Sequence, residues 1–326
     1  MNVADLLSLP WLEDDLVHLE GVLRRSIAAN DPLLAEVASH LVAGGGKRLR
    51  PLLTLASAAT TGDRATEDVL LGGVAVELVH LASLHHDDVM DQATNRRNVE
   101  TVNARWGNLM AVVAGDFLLA RAAGIAASLG TEVAGLLAAT LGRMMEGQVQ
   151  EVQAAFDPGR TQDAYLAAIA GKTASLMATA CRIGGLTAGL DRPDVEAVTT
   201  FGECLGMVFQ IRDDILDVVA SDHELGKPAG QDLMEGVYTL PVLAALADPE
   251  VGPGLALLLG RPLDGPDLDR AREVVSSAGV GLAAQEARRW AHQAVDATAC
   301  LDDSAVSDAL RTLAYGLVDT VPVPMA

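Results

Sequence analysis

The pentapeptides Asp87-Asp88-Val89-Met90-Asp91 and Asp213-Asp214-Ile215-Leu216-Asp217 are two copies of one pattern, Asp-Asp-x-x-Asp, and each follows an amphipathic stretch that reads as helix. On a helix, positions i and i+4 share a face about one turn apart, so Asp87 falls beside Asp91 and Asp213 beside Asp217. Two helices carrying such clusters make an oxygen-rich, strongly anionic site if they face each other. That site suits a hard divalent cation, and Mg²⁺ in particular takes one or two carboxylates and fills its other positions with water and substrate phosphates. In a chain with 44 Asp and Glu, one triplet can be a solvated acidic face. Two identical triplets, each embedded in apolar sequence, argue for a site.

The rest of the chain agrees with helices. Apolar residues recur at three- and four-residue spacing, as in Phe201, Leu205, Val208 and Phe209, and period-two runs of β-branched residues are missing. Breakers punctuate these segments at Asn30-Asp31-Pro32, Gly44-Gly45-Gly46, Thr61-Gly62-Asp63, Asp157-Pro158-Gly159, Leu190 to Pro193, Ser221 to Gly236, Asp248-Pro249 and Arg261 to Pro266. With 326 residues, 50% hydrophobic but 3% aromatic, the composition suits closely packed Ala- and Leu-rich helices. The expectation is one all-α domain over 1–326, with ten or more helices around a central cavity.

The formal net charge of −21 argues against nucleic acid and against an anionic membrane surface as partners. Cys181, Cys204 and Cys300 are far apart and form no Cys-x-x-Cys pair, so a disulfide framework and a zinc site are not expected, and the chain reads as cytoplasmic. Acidic residues at Asp5, Glu13, Asp14 and Asp15 break any signal peptide. The best candidate for a transmembrane segment, Leu109 to Leu129, carries Asp116 and Arg121, so none is expected.

A pair of Mg²⁺ clusters implies a polyphosphate ligand, which needs cations as well. Lys and Arg number only 23, so their clusters are informative. Gly44-Gly45-Gly46-Lys47-Arg48-Leu49-Arg50-Pro51 runs a glycine turn into basic residues, without the spacing of a P-loop. Arg96-Arg97 follows the first acidic motif, and Gly226-Lys227-Pro228 follows the second; Lys172-Thr173 lies between them. Glu77-x-x-His80 has the spacing of a di-iron bundle, but a second such motif is missing. His85 and His86 read as packing or supporting groups rather than Mg²⁺ ligands, because Mg²⁺ prefers oxygen.

In order, Gly-Gly-Lys-Arg-x-Arg-Pro, His80 through Leu84 to Asp87-Asp88-x-x-Asp91, Arg96-Arg97, Lys172-Thr173, Phe209-Gln210-Ile211-Arg212-Asp213-Asp214-x-x-Asp217 and Gly226-Lys227-Pro228 resemble the trans-isoprenyl diphosphate synthases, over positions 40 to 245. The resemblance implies an all-α, Mg²⁺-dependent, homodimeric enzyme that joins isopentenyl diphosphate to an allylic diphosphate, head to tail. It implies Asp87, Asp91 and Asp213 as direct Mg²⁺ ligands, for three ions with substrate bound. Asp88, Asp214 and Asp217 would orient waters, lysines and metals from behind. Arg96, Lys172 and Lys227 would hold the allylic diphosphate, and Lys47, Arg50, His80 and Arg97 the isopentenyl diphosphate. Thr173 and Gln210 would line the allylic cation. After the double bond attacks, a proton leaves with the diphosphate.

The fifth and fourth residues before Asp87 are Ala82 and Ser83, about 6–7.5 Å behind the metal site by helix rise. In the family a bulky aromatic there is the floor that stops chain growth. Both are small here, so the expected product is longer than farnesyl and geranylgeranyl, C25 to C40 or above. Residues further back or on a neighbouring helix, Val76, Val79, Met110, Val113 or Phe117, are candidates for a deeper floor, and a geranylgeranyl diphosphate synthase is the alternative reading. Met234 and Val237 stand where the family often has basic residues, and Asn98 where glycine is common. A class I terpene cyclase would share the ionisation chemistry, but such enzymes usually carry Asn and Ser in the second motif and lack the Lys47/Arg50/His80 pocket. A non-catalytic partner subunit of a synthase commonly loses acidic ligands, whereas here all six aspartates are present.

Overall fold

In the computed structural model of the chain, residues 9–96, 99–220 and 229–320 are described. They are helical almost throughout, as the spacing of apolar residues demands. Their contacts group them into two units. One takes in the chain up to Leu141 with Leu176–Gly202 and Thr298–Leu310; the other takes in Gly142–Ser175, Glu203–Ala297 and the chain from Arg311.

The first unit opens with α1 (Pro10–Ser26), α2 (Pro32–Ala43) and α3 (Leu49–Ala58). It is organised by α4 (Glu67–Met90), against which α1, α3 and a later helix, α6, pack. Thr66 caps α4, its side chain accepting from the Val69 N–H, and Glu67 and Asp68 favour the positive helix end. Every residue from Gly72 to Val79 is buried. Gly72 and Gly73 permit this, because a Cβ would lie 2.5 Å from Ile183 Cγ2 and 2.6 Å from Leu19 Cδ1 respectively. Each fully buried Val or Leu of α4 is worth about 1.5–3 kcal/mol, so this helix anchors the unit. Two short strands, β1 (Asn95–Arg96) and β2 (Val99–Glu100), pair antiparallel just after it. Nothing in the apolar pattern predicts this pairing, since two residues per strand are too few to show alternation.

The short α5 (Val102–Trp106) leads into α6 (Asn108–Ser128). Both α4 and α6 are long and apolar enough to cross a membrane. Most of α4 is buried in the unit, whereas only 33% of the most apolar window of α6 is. The first unit also holds the start of α7 (Thr131–Gln153), most of α9 (Ser175–Ala188) and the start of α10 (Arg192–Val219).

The second unit holds the rest of α7 and of α10, together with α8 (Gln162–Ile169) and a π-helical turn at Ala170–Ala174. After α11 (Gln231–Met234) come α12 (Leu240–Ala247), α13 (Gly252–Ala256), α14 (Gly265–Ala278) and α15 (Val280–Ala297); α12 packs on α14 and α15. The final helix is α16 (Ala305–Asp319).

Candidate functional site

The first acidic motif forms the last turn of α4. Asp91 is its C-cap, with the Asp91 N–H donating to the Asp87 carbonyl at 2.8 Å. Asp91 is exposed and Asp87 half-buried, so both are accessible to solvent. Asp88 is buried, and Arg96 Nε donates to its Oδ1 at 2.6 Å. Burial raises the Asp88 carboxyl and the Arg96 charge opposes the rise. The Asn103 amide ties the turn down, donating to the Asp88 carbonyl at 3.0 Å and the Ala93 carbonyl at 2.9 Å. Burial first, and the neighbouring His86 second, push His85 down to about 4, so it is a neutral packing group. His86 lies over Gly115, where a Cβ would meet its ring at 2.3 Å.

The basic stretch before α3 divides its labour. Gly45 adopts a positive φ of 74°, which the turn requires, and Arg48 is forced to φ 45°. The Arg48 side chain is buried and donates to Glu77 Oε1 at 2.9 Å, to Glu20 Oε2 at 2.9 Å and to the Val42 carbonyl at 3.1 Å. Arg48 is therefore structural, and Glu77, which sequence spacing offered to iron, is its counter-ion. Lys47 stays exposed, and Arg50 and His80 are half-buried on the packed helices α3 and α4. Ala82 is fully enclosed, while Ser83 is half-buried with its hydroxyl donating to the His80 carbonyl at 2.8 Å.

In the second unit, Asp213 is exposed on α10, whereas Asp214 and Asp217 are buried. Arg212 Nη1 reaches Asp213 Oδ1 at 3.2 Å, and its Nε donates to Thr320 Oγ1 at 2.8 Å. Asp214 Oδ2 accepts from the Tyr165 hydroxyl at 2.5 Å, and Oδ1 accepts from Gln210 Nε2 at 2.8 Å. Thr173 Oγ1 donates to Gln210 Oε1 at 2.8 Å. The chain after α10 returns to Asp217, whose Oδ2 accepts from the Asp232 N–H at 3.1 Å and whose carbonyl accepts from the Gly230 N–H at 2.8 Å. Desolvation lifts Asp214 to about 7, helped by the nearby Asp213 and Glu151 charges and opposed by its two hydrogen bonds. Lys172 is half-buried and paired with Glu151.

Close backbone approach fixes the π turn that carries Lys172 and Thr173. A Cβ on Gly147 would lie 2.6 Å from the Lys172 nitrogen, one on Gly171 2.8 Å from the Arg143 carbonyl oxygen, and one on Gly206 2.5 Å from Ala174 Cα. Such π turns occur preferentially at functional sites.

In each unit taken by itself the donor types suit Mg²⁺: Asp87 and Asp91 are accessible beside the buried Asp88 in the first, and Asp213 is accessible beside the buried Asp214 and Asp217 in the second. Among the described residues no three His, Cys, Asp or Glu side chains gather as a ready cage. Mg²⁺ does not need one, because it keeps waters and substrate phosphates in its shell. Arg97, Asn98, Gly226, Lys227 and Pro228 lie outside the described residues. Met234 and Val237 are half-buried at and just after α11. Sequence reasoning missed Tyr165, Glu151, Asn103 and the structural role of Arg48. A buried tyrosine announces that its hydroxyl has a partner, but local sequence does not say which.

The sequence model of the polyprenyl synthetase family matches residues 31–264 of the chain. Among similar proteins, "Heptaprenyl diphosphate synthase component 2" of Geobacillus stearothermophilus is 41% identical over 262 residues, 80% of either chain. "Nonaprenyl diphosphate synthase" of Mycobacterium tuberculosis is 37% identical over 96% of this chain and 94% of its own. The crystal structure of a polyprenyl synthase from Caulobacter crescentus, complexed with calcium and isoprenyl diphosphate, superimposes with a TM-score of 0.90 at 33% identity, covering 98% of each chain.

Proposed function

The chain belongs to the polyprenyl synthetase family, and from that premise we propose that it condenses isopentenyl diphosphate with an allylic diphosphate, head to tail, releasing diphosphate and building an all-trans polyprenyl diphosphate of C25 to C40 or above. The observation that carries this reading is the shared design of the two acidic motifs. In each, the first aspartate is accessible and the second is buried and held, Asp88 by Arg96 and Asp214 by Tyr165 and Gln210. A solvated acidic face would have no use for a buried, anchored member.

In this reading Asp87, Asp91 and Asp213 hold Mg²⁺, three ions with substrate bound, which supplies charge neutralisation for the departing diphosphate. Arg96, Lys172 and Lys227 bind the allylic diphosphate, and the Lys172–Glu151 pair keeps that ammonium oriented until the phosphate arrives. Lys47, Arg50, His80 and Arg97 receive isopentenyl diphosphate. Thr173 and Gln210 present oxygen dipoles to the allylic carbon as its bond to oxygen breaks. The homoallylic double bond attacks that carbon, the new bond forms, and a proton leaves to the diphosphate. The Geobacillus and Mycobacterium relatives carry hepta- and nonaprenyl names, which support a long product. The chain works as one synthase domain in a cytoplasmic homodimer, and the exposed apolar residues Leu109, Val112 and Val113 of α6 support self-association.

Labelled isopentenyl diphosphate, an allylic primer and Mg²⁺ test the reading. Extractable labelled polyprenyl diphosphate that disappears with chelator is the expected result. No incorporation with dimethylallyl, geranyl, farnesyl or geranylgeranyl primers overturns it.

A further inference from the structure

Four side chains of the second unit form one unbroken relay: Tyr165, Asp214, Gln210 and Thr173. We propose that Tyr165 is a positioning residue for the condensation, which fixes the Asp214 carboxylate so that the Gln210 amide oxygen holds the Thr173 hydroxyl proton and leaves the Thr173 lone pairs for the developing cation. The proposal rests on the reaction proposed above and adds a residue to it.

With Asp214 ionised, each link has one polarity. Tyr165 is fully buried, and desolvation together with the adjacent Asp214 charge holds its hydroxyl in the protonated form, so it donates. The carboxylate accepts on both oxygens, from Tyr165 on Oδ2 and from the Gln210 amide on Oδ1. The Gln210 NH₂ must face that carboxylate. Reversed, its oxygen would meet a carboxylate oxygen and Thr173 would lose its acceptor. With the amide fixed, Gln210 Oε1 accepts the single Thr173 hydroxyl hydrogen at 2.8 Å. A threonine hydroxyl has one hydrogen and two lone pairs. Once the hydrogen is committed, an electron-poor carbon beside Thr173 meets lone pairs only.

The far end is held as firmly. The Arg160 guanidinium lies over the Tyr165 ring, 5.4 Å from its centroid, and donates to the Tyr238 carbonyl at 3.4 Å, so the ring packs against a tethered cation. Thr173 sits in the π turn, locked by the backbone approaches at Gly147, Gly171 and Gly206. Asp214 thus serves the carbon side of the reaction through Gln210, in addition to standing behind Asp213.

The test is Tyr165→Phe in the full chain with Mg²⁺, isopentenyl diphosphate and an allylic primer. Losing one hydrogen bond to a charged group should lower kcat about tenfold. The KM for isopentenyl diphosphate should stay unchanged, and the share of allylic alcohol, formed when water captures the misdirected cation, should rise. Gln210→Leu should show the same signature, and the double variant should be no worse than the poorer single one. A kcat within twofold of the parent with an unchanged alcohol share, or losses that multiply in the double variant, overturn the proposal. If Tyr165→Phe does not fold, Asp214→Asn with Gln210→Leu completes the same cycle, with multiplying losses again overturning it. A parent enzyme that incorporates no isopentenyl diphosphate would instead sink the proposed reaction itself.

Discussion

Asp88 and Asp214 occupy the same place in their pentapeptides and are both buried, yet different partners hold them. An arginine eight residues along the chain anchors the first, and a tyrosine 49 residues back anchors the second. In the proposed reading the accessible aspartates carry the metal chemistry, so Asp213→Asn should lower kcat by about 100- to 1,000-fold while the circular dichroism spectrum stays the same. Thiol chemistry separates the cysteines by environment. Burial pushes Cys181 up to about 12 and Cys204 up to about 11, so near pH 8 neither carries appreciable thiolate, the reactive form. Cys300 is exposed. Titration of the native protein with a thiol reagent at pH 8 should modify one cysteine quickly and the other two only on denaturation. The six aspartates were legible in the sequence because helix geometry turns a spacing of four into a shared face. Tyr165 was not, because its hydrogen bond closes over a long loop of chain that local pattern does not encode.

Elements were legible wherever the chain breaks. Asp31 caps α2 by accepting from the Leu34 N–H at 2.9 Å, Gly62 turns at φ 86°, and Asp191 Oδ1 accepts from the Asp194 N–H at 3.0 Å at the start of α10. What the sequence hid was contact between elements. The glycines at 147, 171 and 206 are sites where one backbone touches another. Gly206→Ala puts a Cβ 2.5 Å from Ala174 Cα, so it should destabilise the protein by about 1–3 kcal/mol and displace the π turn with Lys172 and Thr173. Urea unfolding should show the first effect, and a fall in kcat larger than that of a Gly21→Ala control, where only the Arg25 side chain is near, the second. On α4, Ser83→Phe should shorten the longest product by at least one isoprene unit, read by chromatography. An unchanged product ladder would move the chain-length floor away from this turn.

At the scale of the whole molecule, the proposed reading reconciles the net charge of −21 with two diphosphate substrates through the local placement of a few cations, Lys47, Arg50, Arg96, Arg97, Lys172 and Lys227, assigned from their order along the chain rather than from abundance. The charge also leaves the exposed apolar residues conspicuous. Leu109 is 75% exposed on α6, and Met145, Val149 and Val152 make a stripe on the second half of α7. Apolar patches of this kind mark interfaces. Light scattering should therefore give a dimer mass for the parent and a monomer mass for Leu109→Glu; a monomeric parent would remove self-association from the account. The sequence conveyed the chemistry of the chain more fully than its assembly, because ligand types and spacings are written locally while an interface is a property of two surfaces. The most direct test of the central claim is the product ladder made from farnesyl diphosphate, isopentenyl diphosphate and Mg²⁺ by the purified chain alone. The account predicts diphosphate release with products of C25 and beyond, and a ladder that ends at C20, or no elongation at all, would contradict it.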